Sequence, residues 1–259
     1  MPFRSSVLRV STNPLSNFSL LLSSFLLAIL GSFLASAADP LYIAAASDLA
    51  PLQSELAQTI GKETGITVRF SFGGSGILAQ QIENGGPFDL YLSANESFVK
   101  NLEAKGKLLG GTVSVYAYGR LGLWSKNGRI HSLQELTSKS VTHLALPNPA
   151  HAPYGVAARE MLRKLGLWQT LEPRVVYGEN VQQALQFAES GNADACVTAW
   201  SLVRDKGAIL LPASDHPPIR QAGAVVAASG HRAAATRVLA VLRGPAGRAL
   251  LARYGFSTP

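Results

Sequence analysis

The sequence predicts an α/β fold in two lobes. Short apolar runs of strand length alternate with stretches whose apolar residues recur at helical spacing. The order strand, helix, strand, helix, strand, helix opens the chain, which is the pattern of a parallel sheet covered by helices. At 259 residues, 47% hydrophobic and 15% charged, the chain has ample length for a core and too little charge for wholesale disorder.

The first 37 residues read as a secretory signal peptide. Arg4 and Arg9 stand in a segment without an acidic residue, and the run from Phe18 to Leu34 is apolar apart from serines and Gly31. Ala35-Ser36-Ala37-Ala38 then offers an A-x-A cleavage site after Ala37. Export to a bacterial periplasm is therefore expected. Cys196 is the single cysteine, so no internal disulfide forms. The net charge of +7 falls to +5 once Arg4 and Arg9 are removed. The basic residues are scattered, so no nucleic-acid surface is indicated.

From residue 38 the elements follow in order. Leu41 to Ala46 is an apolar run read as a buried strand, and Ser47 or Asp48 is placed as the cap of a helix from Leu49 to Gly61. Thr67 to Phe72 is a second strand. Gly73-Gly74-Ser75-Gly76 then turns into a helix from Ile77 to Asn84, with Ser75 as its N-cap. Phe88 to Ser93 is a third strand and Glu96 to Lys105 a helix. Val113 to Gly119 and Leu121 to Trp124 are strands, and the passage into a second lobe falls near Gly119-Arg120.

In the second lobe Leu133 to Leu136 is a short helix and Val141 to Leu146 a strand. Val156 to Leu165 is a helix, Arg174 to Tyr177 a strand and Val181 to Ser190 a helix, closed by Gly191-Asn192. Asp194 to Trp200 and Ile209 to Leu211 are strands. Ala222 to Ala228 carries the chain back, and Ala233 to Leu242 and Pro245 to Tyr254 are helices. The division expected is residues 38–118 with 220–259 as the first lobe and 119–219 as the second. Tyr177 and Trp200 read as core aromatics, and Arg120 and Arg174 as surface cations.

Four loops share a character: Ser47-Asp48, Gly74-Ser75-Gly76, Ala152-Pro153-Tyr154-Gly155 and Glu179-Asn180-Val181. Each ends a strand and opens a helix, where unpaired backbone N–H groups and the helix dipole favour an anion. In α/β sheets ligands favour the carboxyl ends of strands, so a cleft between the lobes is the expected site. The five histidines are scattered, and none pairs at metal-ligand spacing. A serine hydrolase using Ser47 or Ser75 needs a histidine base, and only His151 falls in these loops.

Ala45-Ala46-Ser47-Asp48-Leu49, Ser71-Phe72-Gly73-Gly74-Ser75-Gly76, Gly86-Pro87-Phe88-Asp89-Leu90-Tyr91-Leu92-Ser93-Ala94, Pro149-Ala150-His151-Ala152-Pro153-Tyr154-Gly155 and Glu179-Asn180-Val181 resemble, in order, the periplasmic molybdate-binding proteins of ABC importers. Arg253-Tyr254-Gly255-Phe256 resembles that family's end. The resemblance implies a type II periplasmic binding protein fold, each lobe a mixed, mostly parallel sheet flanked by helices. It implies a binding protein, not an enzyme, with no cofactor. The ligand would be molybdate or tungstate, and the alternative is another anion such as sulfate, phosphate or an organic anion. Its partners would be an ABC permease and its ATPase at the inner membrane, with the protein a monomer. Ser47 and Ser75 would each supply a hydroxyl and an amide, and Tyr154 and Val181 backbone amides. Some members add a tyrosine hydroxyl at the position of Ala199; here the phenol of Tyr154 is expected to compensate. Asp48 is expected to point away from the ligand.

Overall fold

A computed structural model describes Met1 and residues 39–259, so the signal-peptide reading lies outside the described residues. Leu41–Ala46 (β1) is followed by a tight helical turn, Ser47–Leu52, and by Gln53–Thr64 (α1). Then come Val68–Gly73 (β2), Ser75–Glu83 (α2), Leu90–Ser93 (β3), Glu96–Ala104 (α3) and Ser114–Gly119 (β4). The chain leaves through Arg120 into Leu121–Trp124 (β5) and builds Leu144–Pro147 (β6), Pro153–Lys164 (α4), Trp168–Leu171 (α5), Val175–Gly178 (β7) and Val181–Ser190 (α6). Ala195–Ala199 (β8), Trp200–Val203 (α7) and Ile209–Leu210 (β9) follow. Ile219–Val225 (β10), Arg232–Arg243 (α8) and Pro245–Arg253 (α9) complete the order.

Two five-stranded sheets result, ordered β2-β1-β3-β10-β4 and β7-β6-β8-β5-β9. In the first, β1 runs parallel to β2 and β3 while β10 is antiparallel to β3 and β4. The second repeats this plan: β6 is parallel to β7 and β8, and β5 is antiparallel to β8 and β9. Both sheets are mixed, as expected, and each is covered on both faces. That burial explains why their strands read as continuous apolar runs instead of alternating ones.

Successive side chains nevertheless go to opposite layers. Ile43, Ala45, Leu90 and Leu92 meet α1, α8 and α9 through Leu56, Ile60, Val238 and Leu251. Ala44 and Tyr91 meet α2 and α3 through Leu78, Ile82 and Val99. In the second sheet Leu144, Leu146 and Val197 pack on Ala158, Met161 and Leu162 of α4. Ala145 and Cys196 pack on Ala184, Leu185 and Ala188 of α6.

Several boundaries differ from the sequence reading. The helix after β1 begins with the turn at Ser47, and neither Ser47 nor Asp48 caps it through a side chain. Helix α2 starts at Ser75 itself, with Gly74 in the capping position, so Ser75 is not an N-cap. Tyr177 is exposed rather than core, because β7 is an edge strand. Arg174 is no free surface cation: its guanidinium donates to the carbonyls of Thr137, Ser138 and Val141.

Candidate ligand-binding site

The loops that leave β1, β2, β6 and β7 meet at the carboxyl ends of the two sheets. Together they line one small pocket, formed by Ser47, Asp48, Ser75, Tyr154 and Val181, with Ala94 and the glycines of the 73–74 turn beside them. All four residues singled out in the sequence therefore reach one place. Their exposures of 2%, 1%, 2% and 4% put them inside the protein. No lysine, arginine or histidine lines this pocket among the described residues.

Each loop leaves a specific donor without a protein partner. Helix α4 opens on Pro153, which has no N–H, and the amides of Gly155 and Val156 both donate to the Ala152 carbonyl. The amide of Tyr154 lies between them and has no intrahelical partner. At α6, the side chain of Asn180 accepts from the amides of Gln182 (2.9 Å) and Gln183 (3.1 Å), which leaves the amide of Val181. The hydroxyl of Ser47 is buried and has no partner in the protein. The Ser75 hydroxyl oxygen accepts from the Ala94 amide at 3.0 Å, so its own proton remains to be donated.

The first turns of α2 and α6 are held by matching bonds from the third strand of each sheet. The Tyr91 hydroxyl on β3 donates to the Ser75 carbonyl at 2.6 Å. The Thr198 hydroxyl on β8 donates to the Val181 carbonyl at 2.8 Å. Both anchors are buried, so the amides beside them have little freedom to turn.

The two halves of the site touch. The Gly76 amide donates to the His151 carbonyl at 2.9 Å, joining the loop after β2 to the loop after β6. A Cβ at position 76 would lie 2.7 Å from the His151 Cβ, so only glycine allows this approach. Gly119 answers the same need at the crossing, where a Cβ would collide with the Tyr154 hydroxyl.

Asp48 departs from its expected role. Its side chain is wholly buried; Oδ2 accepts from the Tyr154 hydroxyl at 2.8 Å and from the Gln221 amide nitrogen. The Tyr116 hydroxyl donates to the Gln221 oxygen at 2.9 Å, and the Ser201 hydroxyl donates to the Asp48 carbonyl at 2.7 Å. Oδ1 has no partner. Burial pushes the Asp48 carboxyl up to about 6, against the lowering effect of Tyr154, Gln221 and the backbone amides of Asp48 and Leu49. Burial also drives the Tyr154 and Tyr116 phenols well above their ordinary range, so both remain protonated donors.

The phenol of Tyr154 is thus committed to Asp48 and is not the substitute donor expected for the hydroxyl missing at Ala199. Ala199 itself is buried at the end of β8. Gln221 was missed in the sequence. The available signal was a glutamine leading into the small apolar residues Ala222 to Val225 of a central strand, where a buried amide needs partners.

The family model described as bacterial extracellular solute-binding protein matches residues 41–257. The molybdate-binding protein ModA of Rhodobacter capsulatus is 33% identical over 234 residues, covering 89% of this chain and 93% of that one. ModA of Azotobacter vinelandii is 34% identical over 230 residues, covering 86% and 91%. The solved periplasmic molybdate-binding protein of Azotobacter vinelandii superposes with a TM-score of 0.79 at 30% identity, covering 85% of this chain and 99% of that chain.

Proposed function

The chain belongs to the bacterial extracellular solute-binding proteins, and from that premise we propose that it captures molybdate, or the similar tungstate, for an ABC importer. It is a binding protein and not an enzyme. In this reading the mature chain works in the periplasm after loss of residues 1–37 and delivers its ligand to a membrane permease driven by an ATPase. The ligand is held by the hydroxyls and amides of Ser47 and Ser75 from one lobe and by the amides of Tyr154 and Val181 from the other. The lobes comprise residues 38–118 with 220–259 and residues 119–219, and they close about the two crossings between the sheets.

One observation carries this reading: uncharged donors from four strand-to-helix loops, two from each sheet, converge on one buried pocket that has no cationic side chain. Such donors are costly to bury unpaired, at about 1–3 kcal/mol each. An anion of the right size pairs them together, and a smaller one leaves some stretched. Since about 1.4 kcal/mol is tenfold in affinity, two or three poor bonds discriminate strongly. Thermal melting with molybdate, tungstate, sulfate and phosphate tests the assignment. Molybdate and tungstate are expected to raise the midpoint in proportion to the logarithm of concentration, and sulfate to do so far less. A rise with sulfate or phosphate and none with millimolar molybdate would reassign the ligand.

A further inference from the structure

Asp48 is among the residues that line the pocket of the four donor residues, so a buried acid stands beside the place where an anion would be held. It does not turn out to solvent or cap a helix. Every element around it has been fitted to it. Tyr154 on α4 and Gln221 on β10 converge on Oδ2, Tyr116 on β4 fixes Gln221, and Ser201 on α7 holds the Asp48 carbonyl. These neighbours are neutral; the titratable ones are the phenols of Tyr154 and Tyr116, both held in their protonated form. Among the described residues, no lysine, arginine or histidine is one of the groups acting on Asp48. Oδ2 is satisfied and Oδ1, equally buried, is not.

Resting on the oxyanion reading above, we propose that Asp48 makes the pocket select an anion together with one proton, held between Asp48 Oδ1 and the bound oxyanion. Two negative charges in one dry pocket without a cation repel strongly. A single proton removes one of them and gives Oδ1 the partner it lacks. The proton is drawn from the solvent when the cleft closes and returns to it on release; no bond within the anion changes. With a dianion the neutral carboxyl adds one donor to those of the four residues, while with a monoprotonated anion the carboxylate is the acceptor. The upward displacement of the Asp48 carboxyl by burial agrees in direction, and an adjacent anion pushes it further the same way.

Sodium molybdate is titrated calorimetrically into the mature wild-type protein at several pH values, each in two buffers of different ionisation enthalpy. The wild type is expected to take up about one proton per anion near pH 8, and its affinity to fall about tenfold per pH unit on the alkaline side. Asp48→Asn places an amide nitrogen at the unpartnered position. It is expected to take up no proton and to lose the pH slope, gaining on the wild type as pH rises. Molybdate binding by the wild type with no proton uptake and a flat pH profile overturns the proposal and leaves the oxyanion reading standing. The same follows if the Asn variant keeps the full slope. Failure of both proteins to bind molybdate at any pH overturns the oxyanion reading and this one with it.

Discussion

Ser75 shows how one side chain serves both fold and site. Its oxygen accepts the Ala94 amide, its carbonyl accepts the Tyr91 hydroxyl, and its own proton is left for the pocket. Ser75→Ala is expected to weaken molybdate binding by about 1–3 kcal/mol, or roughly five- to 150-fold, read by titration calorimetry. Asp48 gives the stability of the unliganded protein a pH dependence. Its carboxyl lies at about 6 in the fold against 3.8 ordinarily, so the folded protein holds the proton more tightly than the unfolded chain. The stabilising contribution is therefore complete below the unfolded value and is lost as pH rises through the folded one. Melting of the wild type relative to Asp48→Asn is expected to fall between about pH 4 and pH 6 and to level off above. A constant difference would show that the buried carboxyl does not titrate there.

At the scale of elements, the site depends on how the helices begin. The Thr198 bond to the Val181 carbonyl and the Tyr91 bond to the Ser75 carbonyl aim the first turns of α6 and α2 from the strands beneath them. Thr198→Val keeps the side-chain shape and removes this second bond to the Val181 carbonyl, which still accepts within its helix. It is expected to cost about 0.5–1.5 kcal/mol of stability, with a measurable loss of molybdate affinity although Thr198 does not line the pocket. Helix α6 was legible to its ends because its signals are local: Asn180 caps it and Gly191 closes it at φ 87°. Helix α2 was misread by two residues because the Ser75 hydroxyl, which looks like a cap, is taken by an amide 19 residues away. The Asp48–Tyr154 and Asp48–Gln221 bonds span 106 and 173 residues, so no local pattern announces them. The four loops were legible because strand-to-helix turns declare themselves in sequence; the residues Ser47, Ser75, Tyr154 and Val181 within them were implied by the family resemblance, and the topology brings them to one pocket.

For the whole molecule, the proposed closure would make one site from two half-sites. The sheets share one strand order, so equivalent loops face each other across the cleft, and Gly76 and His151 meet where the halves join. Gly76→Val inserts bulk where even a Cβ falls 2.7 Å from the His151 Cβ. Small-angle scattering with saturating molybdate is expected to show a larger radius for this variant than for the wild type, together with weaker binding. An equally compact liganded variant would show that the loops need not touch.

In the proposed function, uncharged donors of Ser47, Ser75, Tyr154 and Val181 hold a tetrahedral metal oxyanion. Crystals of the mature protein grown with molybdate, measured for the anomalous signal of molybdenum, test it most directly. One strong peak is expected in the pocket, its oxygens within hydrogen-bond distance of all four residues and with no lysine or arginine in contact. A peak held instead by cationic side chains elsewhere, or no peak between these loops in the closed protein, would contradict it.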